Sequence, residues 1–414
     1  MAHTSTALGD AVRAHRRTRG WTQEKLAEEA GLSVGVIRKI EQGGTARVET
    51  LHCIARAYEI PTSQLFAPGA PLPVEEDGTN RQLLAQLRRA LMPPVGITDS
   101  LADPGPAEPL PDIRRRIEDA LELYNADRYD SVARQLPSLL HAAEVAAVTA
   151  DEDLRHEAAL VRAHALLLAG KYLTQVRQYD MAYQALVDSI RAGRELDETL
   201  TATTGVVGLC WLLLRQDRFD EAERLAATTA ERIEPRLSKA PVGHVAVWGE
   251  LCLRIASAAV RNNRPDEAQE ARRMAATAAS AVGMEHADYR THWARFGPVT
   301  TELKAVEDLS LAGDARGVLR RSDDGLLGRT AMKKVGRPSA INWNRHRLDV
   351  ARAHVALGST QDAMDELVRV RRTTSNWLQH QPMARYVMED ILRTRKRTLT
   401  REMREMAQHL NVHA

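Results

Sequence analysis

The chain holds 414 residues, with 57 Lys and Arg against 55 Asp and Glu and a formal net charge of +2. So even a balance excludes a polycation that coats nucleic acid, and the length calls for two or three folded units rather than one. By segment the basic and acidic residues number 9 and 7 over 1–66, 3 and 6 over 67–111, and 45 and 42 thereafter, so any affinity for nucleic acid must come from where single arginines stand.

The first element expected is a helix from Ala7 to Arg19, with Leu8, Ala11 and Val12 on one face and Gly20 ending it. Thr22 is a good N-cap for a second helix that carries Leu26, Ala27 and Ala30 inward. Ala30-Gly31-Leu32-Ser33 then supplies a small turn residue, a buried apolar side chain and a fresh N-cap, which is the tight turn of a helix-turn-helix. A third helix, Ser33 to Gln42, buries Ile37 and Ile40 and leaves Ser33, Val34, Gly35, Arg38 and Lys39 on a face free to enter a major groove. Two more helices, Val48 to Glu59 and Pro61 to Phe66, close the core with Leu51, Ile54, Ala55, Ile60, Leu65 and Phe66.

Trp21-Thr22-Gln23, the Ile-x-x-Ile-Glu-x-Gly at 37–43 and the closing Pro61-x-x-x-Leu65-Phe66 resemble the Cro/C1-type (XRE) helix-turn-helix family of bacterial regulators. That resemblance implies double-stranded DNA as a partner, with Gln23 holding a phosphate and Ser33, Val34, Gly35, Arg38 and Lys39 reading bases or gripping the backbone. Helix N-termini present unpaired amides to phosphate, and Arg pairs bidentately with guanine. Arg47, in the following loop, is a further expected phosphate contact. The family often has long polar side chains where this chain has Val34 and Gly35, so a thymine methyl or DNA shape would contribute there.

Residues 67–111 hold nine of the seventeen prolines and form a linker that cannot be continuous helix. Within it Asn80 to Leu91 is amphipathic, with Leu83, Leu84, Leu87, Ala90 and Leu91 together, and reads as a short helix packed back on the C-terminal region, or else as a dimerisation helix. Gly96 to Pro111 reads as exposed loop.

From 112 to 414 there is little strand signal, and Ala/Leu/Arg-rich helical spacing dominates. A corner recurs at Arg128-Tyr129-Asp130, Tyr179-Asp180, Phe219-Asp220, Pro265-Asp266 and Gln361-Asp362, and the widest gap accommodates a degenerate copy near Gly313-Asp314. Periods of this size indicate helix-turn-helix pairs in a solenoid, about six of them. Leu212 to Pro235 and Val350 to Trp377 resemble tetratricopeptide repeats. The fold expected is therefore all-α, a five-helix repressor-type domain followed by a TPR-like α-solenoid.

This layout, with Phe296-Gly297-Pro298-x-Thr300 and His346 to Ala353, resembles actinobacterial XRE regulators with C-terminal repeats and is similar to peptide-responsive quorum-sensing regulators. The resemblance implies a homodimer on a pseudo-palindromic operator and a peptide, small-molecule or protein effector on the repeats. Asn262, Asn263, Asn342 and Asn344 would hold it, with Trp293, Trp343 and Arg345 as lining; each Asn also reads as an ordinary cap or turn residue.

Catalytic signals are weak. Gly31-Leu32-Ser33-Val34-Gly35 matches a nucleophile elbow as a string but lies between two helices, and His156-Glu157 lacks the second His of a zinc protease. No enzyme, metal or cofactor is expected. Cys53, Cys210 and Cys252 lack metal-ligand spacing and suit buried thiols in a reducing compartment. With no apolar run before Asp10 and Arg13, and Thr203 to Leu214 too short to span a bilayer, a cytoplasmic, nucleoid-associated protein with no membrane partner is expected. A scaffold whose repeats bind a protein partner is the alternative reading.

Overall fold

Gly9 sets the first crossing of the fold, because a Cβ there would lie 2.4 Å from the Ile40 carbonyl oxygen. Its bare backbone lets helix α1 (His3–Thr18) lie against α3 (Val34–Glu41), with α2 (Gln23–Ala30) between them in sequence and α4 (Val48–Ala57) and a 3₁₀ turn (Thr62–Leu65) after them. These coordinates are a computed structural model that describes residues 3–44, 46–65, 81–92, 106–288, 292–394 and 399–412. The N-terminal domain is therefore four α-helices closed by one 3₁₀ turn, where sequence spacing suggested a fifth helix; Phe66 lies outside the described residues. Its core gathers Val12, Leu26, Ile37, Ile40, Leu51, Ile54 and Leu65 with Tyr58, fully buried, whose hydroxyl donates to the Val12 carbonyl at 3.0 Å.

The chain divides into two compact units, one of Met1–Glu75, Cys210–Ile233 and Leu251–Ala275, the other of Glu76–Leu209, Glu234–Glu250 and Ala276–Ala414. Helix α5 (Arg81–Leu91) is the amphipathic segment expected at 80–91, and in the second unit it packs against α7 (Tyr129–Thr149) and α9 (Tyr179–Glu195) through buried Leu87 and Leu91. Helix α6 (Leu110–Asn125) takes Leu110 and Pro111 out of the expected loop, since proline is tolerated in a first helical turn. Helix α6 packs against α7, and α7 and α9 both pack against α8 (Arg155–Gln175). Leu186 of α9 nests between Gly170 of α8 and Gly208 of α10 (Thr199–Arg215), where added Cβ atoms would lie 2.5 and 2.9 Å from its side chain. In the first unit, Cys210 of α10 donates to the Ala222 carbonyl of α11 (Phe219–Arg232) at 3.6 Å.

Helices α12 (Val242–Arg261) and α13 (Pro265–Val282) come next in the chain, followed by α14 (Pro298–Leu311) with α15 (Ala315–Arg321), α16 (Arg329–Val335), and α17 (Ala340–Ala356) with α18 (Thr360–Thr373). Short helices α19 (Ser375–Gln379), α20 (Pro382–Thr394) and α21 (Arg401–His409) complete the described chain. All-α is the fold class, with an N-terminal helix-turn-helix domain and a helical region after it.

Six helix pairs turn on the same backbone. Asp127, Arg177, Asp217, Asn263, Gly313 and Gly358 all have φ between 58 and 84°, at successive spacings of 50, 40, 46, 50 and 45 residues. The amide after each donates to the carbonyl five residues back, from Arg128 to Leu123 at 2.9 Å through Ser359 to His354 at 2.8 Å. This is the hydrogen bonding of a helix that ends in a left-handed residue, and it includes the corner inferred at Gly313.

One element escaped the sequence reading. Strands β1 (His286–Asp288) and β2 (His292–Phe296) pair antiparallel as a small hairpin. It explains Phe296-Gly297-Pro298-x-Thr300: Phe296 is fully buried against Gly249, Gly297 lets the chain pass the Met284 carbonyl, and Pro298 opens α14. Thr300 donates to the Glu285 carboxylate from its amide at 2.8 Å and from its hydroxyl at 2.6 Å.

Candidate nucleic-acid interface

Thr22 caps α2 by accepting from the Lys25 amide at 3.1 Å, and Gly31 ends it at φ 64°. Ser33 caps α3 by accepting from the Val36 amide at 3.4 Å. The two helices and their turn thus arise from local residue chemistry, and Ile37 and Ile40 anchor α3 in the core.

Its orientation depends on Glu41, whose carboxylate is buried. Arg16 engages it through two nitrogens at 2.6 and 2.9 Å, Gln23 donates to it at 2.9 Å, and Arg13 lies 3.7 Å away while also donating to the Glu41 carbonyl. Burial pushes the Glu41 carboxyl up, but the Arg16 and Gln23 hydrogen bonds and the Arg16 and Arg13 charges outweigh it and hold the group below the usual carboxylate range. Arg16 in turn donates to the Trp21 carbonyl at 2.8 Å, so one carboxylate ties α1, the α1–α2 turn, α2 and α3 together. The Ile-x-x-Ile-Glu-x-Gly string is accounted for residue by residue: two core anchors, the buried carboxylate, and Gly43 at φ 85° turning the chain out of α3.

Outside this frame, Arg38 and Lys39 are exposed and make no hydrogen bond or ion pair with any described residue. Exposed Glu24 has its carboxyl lowered first by its own backbone amide and then by Thr22, with the Arg38 charge adding to the effect. Ser33 and Gly35 are exposed, and a Cβ on Gly35 would meet nothing closer than the Ser33 hydroxyl at 3.9 Å. Val34 is half-buried and packs on the core, whereas Val36, which the sequence reading passed over, is 36% exposed. The signal for it was the helical spacing itself, since Val36 lies three residues from Lys39 and so shares its face of α3. Gln23 opens α2 with its carboxamide held by Glu41, and Arg47 stands half-buried at the N-cap position of α4.

The residues singled out for an effector are scattered through local structure. Asn262 is buried at the end of α12, and Asn263 is the left-handed corner, its amide nitrogen 3.5 Å from the Ile60 carbonyl oxygen. Asn342 lies in the first turn of α17, its backbone amide donating to Ser339 at 3.1 Å. Asn344 is buried and donates to the Thr373 and Thr374 hydroxyls at 3.2 and 2.8 Å. Trp343 is half-buried beside His346, with ring centroids 5.5 Å apart, and Arg345 is half-buried on the same helix. Trp293 belongs to β2, and its side chain lies outside the described residues.

Of the cysteines, Cys210 and Cys252 are fully buried and Cys53 is half-buried, a departure from the expectation of three buried thiols; burial pushes the Cys210 thiol up to about 12. Among the described residues no helix is long and apolar enough to cross a membrane.

Residues 12–65 match the family model of helix-turn-helix domains, and such a domain suggests a DNA-binding transcription regulator. No curated protein matches the chain.

Proposed function

We propose that the protein is a sequence-specific transcription regulator that binds double-stranded DNA through α3, as a homodimer whose TPR-like helical region receives a peptide, small-molecule or protein signal. The observation that carries the reading is the contrast around Glu41. Arg13 and Arg16 are spent on the buried carboxylate, while Arg38 and Lys39 extend from the same short helix into solvent. Arg38 supplies a planar fork for a guanine edge, Lys39 a point charge for phosphate, and Val36 an apolar contact for a thymine methyl. Gly35 and Ser33 allow close approach at the helix N-terminus, where amides and the helix dipole favour phosphate. Gln23 and Arg47 are proposed as flanking phosphate contacts.

With only two exposed cations on α3, one domain has a small electrostatic grip, and two domains about 34 Å apart would double it on a pseudo-palindrome. The test is to select bound fragments from sheared genomic DNA at near-physiological salt with the full chain and with an Arg38→Ala/Lys39→Ala variant. Enrichment of a two-fold symmetric site that the variant loses supports the reading, whereas equal retention by both proteins would sink it.

A further inference from the structure

The six helix corners share one backbone but not one residue type. At the fifth and sixth, the left-handed position is glycine, and a Cβ on Gly313 or Gly358 would meet nothing within 4 Å. The third and fourth corners instead carry Asp217 and Asn263, at φ 59 and 58°. Asn and Asp tolerate this conformation better than other side chains do, so these corners can also present a polar group that glycine lacks.

At the fourth corner the contacts lead to the N-terminal domain, which belongs to the same compact unit. The Asn263 carboxamide reaches the Ile60 carbonyl at 3.5 Å. One helical end away, buried His52 of α4 has Nδ1 3.3 Å from the Arg261 carbonyl oxygen and 3.3 Å from the hydroxyl of fully buried Thr62. A carbonyl can only accept, so Nδ1 carries the proton and donates to Arg261. All of these residues on the domain side come from α4 and the segment that follows it, and none from the exposed face of α3.

We propose that the corner around Asn263 forms a docking surface for the α4 end of the N-terminal domain, making that domain a docked body with its recognition face left open. Movement of α12 and α13 then reaches the DNA-binding domain through this contact, independently of the proline-rich segment. The occupant is the chain's own domain, identified by the His52 and Ile60 contacts.

Asn263→Gly separates docking from folding, because glycine keeps the corner conformation, removes its strain and deletes only the side chain. In hydrogen exchange on the full chain, the dock predicts at least threefold faster exchange over Tyr58–Leu65 in this variant, with α8 and α9 unchanged. His52→Ala, made from the other side, should speed exchange over Arg261–Arg264 by a similar factor. Unchanged exchange over Tyr58–Leu65 in Asn263→Gly, or over Arg261–Arg264 in His52→Ala, would overturn the proposal.

Discussion

Two buried ionic centres, one in the N-terminal domain and one in the helical region, are built with opposite polarity. In the first, a single carboxylate, Glu41, collects Arg16, Gln23 and Arg13. In the second, a single guanidinium, Arg347 of α17, is held by Glu366 of α18 through two nitrogens at 2.7 and 2.5 Å and by Asp323 at 3.0 Å. Both fix the packing of helices. They differ in what they leave outside: next to Glu41 along α3 stand Arg38 and Lys39 with no hydrogen bond or ion pair to any described residue, whereas around Arg347 the neighbouring Arg369 also pairs with Glu366, at 2.7 Å. Basic residues committed to internal carboxylates have little left for a phosphate, so the location of uncommitted cations is a better guide to DNA contact than their number.

Removing either central ion should produce the largest effects. Glu41→Ala strands Arg16 and Gln23 in a part-buried setting, and Arg347→Ala leaves buried Glu366 to the exposed Arg369, so each should destabilise its own region by about 3–5 kcal/mol. Hydrogen exchange reports the regions separately: Glu41→Ala should speed exchange in α2 and α3 and leave α17 alone, and Arg347→Ala the reverse. If Glu41→Ala left α3 protected, the carboxylate would not be what holds the recognition helix.

A smaller effect is expected where the helical region uses a corner side chain. Asp127, left-handed at φ 63°, accepts from the amides of Asn376 at 2.8 Å and Trp377 at 2.6 Å, about 250 residues further along the chain. Burial raises its carboxyl to about 6 against the lowering by those two hydrogen bonds. Asp127→Ala orphans both amides and should lower stability by about 2–3 kcal/mol. A urea midpoint indistinguishable from that of the parent protein would show that the two amides find other partners.

Acid should weaken the packing of α17 through His346. His346 is 2% exposed, donates from Nε2 to the Ser322 carbonyl at 3.1 Å, and burial lowers its pKa to about 4. The carbonyl fixes the role, so Nε2 bears the proton and the ring is neutral. An imidazole whose folded pKa lies below its unfolded 6.5 contributes stability that is present above pH 6.5 and lost as pH falls through 4. At pH 5 the loss relative to pH 7 should be about 2 kcal/mol, and His346→Gln should flatten that part of the stability profile. An equally steep profile in the variant would assign the acid sensitivity to other groups.

The two regions also differ in how legible they are in the amino-acid sequence. In the N-terminal domain the information is local. Thr22 and Ser33 announce their helices, Gly31 its turn, and Ile37 and Ile40 the buried face, so helix order and the exposed Arg38 and Lys39 follow from spacing. Glu41 was visible as a motif letter, but its partners lie 18 to 28 positions away and have no periodic signature. Tyr58 was missed as core for a similar reason, because its polar hydroxyl is satisfied only by the distant Val12 carbonyl. In the helical region the repeating corner was legible at Gly313 because a left-handed turn constrains residue type. The β1–β2 hairpin was not, since strands of three and five residues leave too short an alternation to stand out. Asn263 looked like a ligand donor because the sequence shows a carboxamide without showing that Ile60 lies beside it.

The finest distinction is between a residue that builds α3 and one that touches DNA, and Ser33 is expected to do both. Its hydroxyl caps α3 at 3.4 Å, longer than the 3.1 Å cap of Thr22 on α2, so Ser33→Ala should lower stability by about 0.5–1 kcal/mol and Thr22→Ala by about 1 kcal/mol. Glycine is a fair N-cap, so Ser33→Gly should lower stability by a few tenths of a kcal/mol. If the hydroxyl also donates to a phosphate, Ala and Gly delete the same DNA contact and should weaken binding to the selected site equally, by about fivefold. Matched affinity losses with unequal stabilities would assign Ser33 a contact of its own. Affinity losses that follow the stability ranking would reduce its role to holding the helix that carries Arg38 and Lys39.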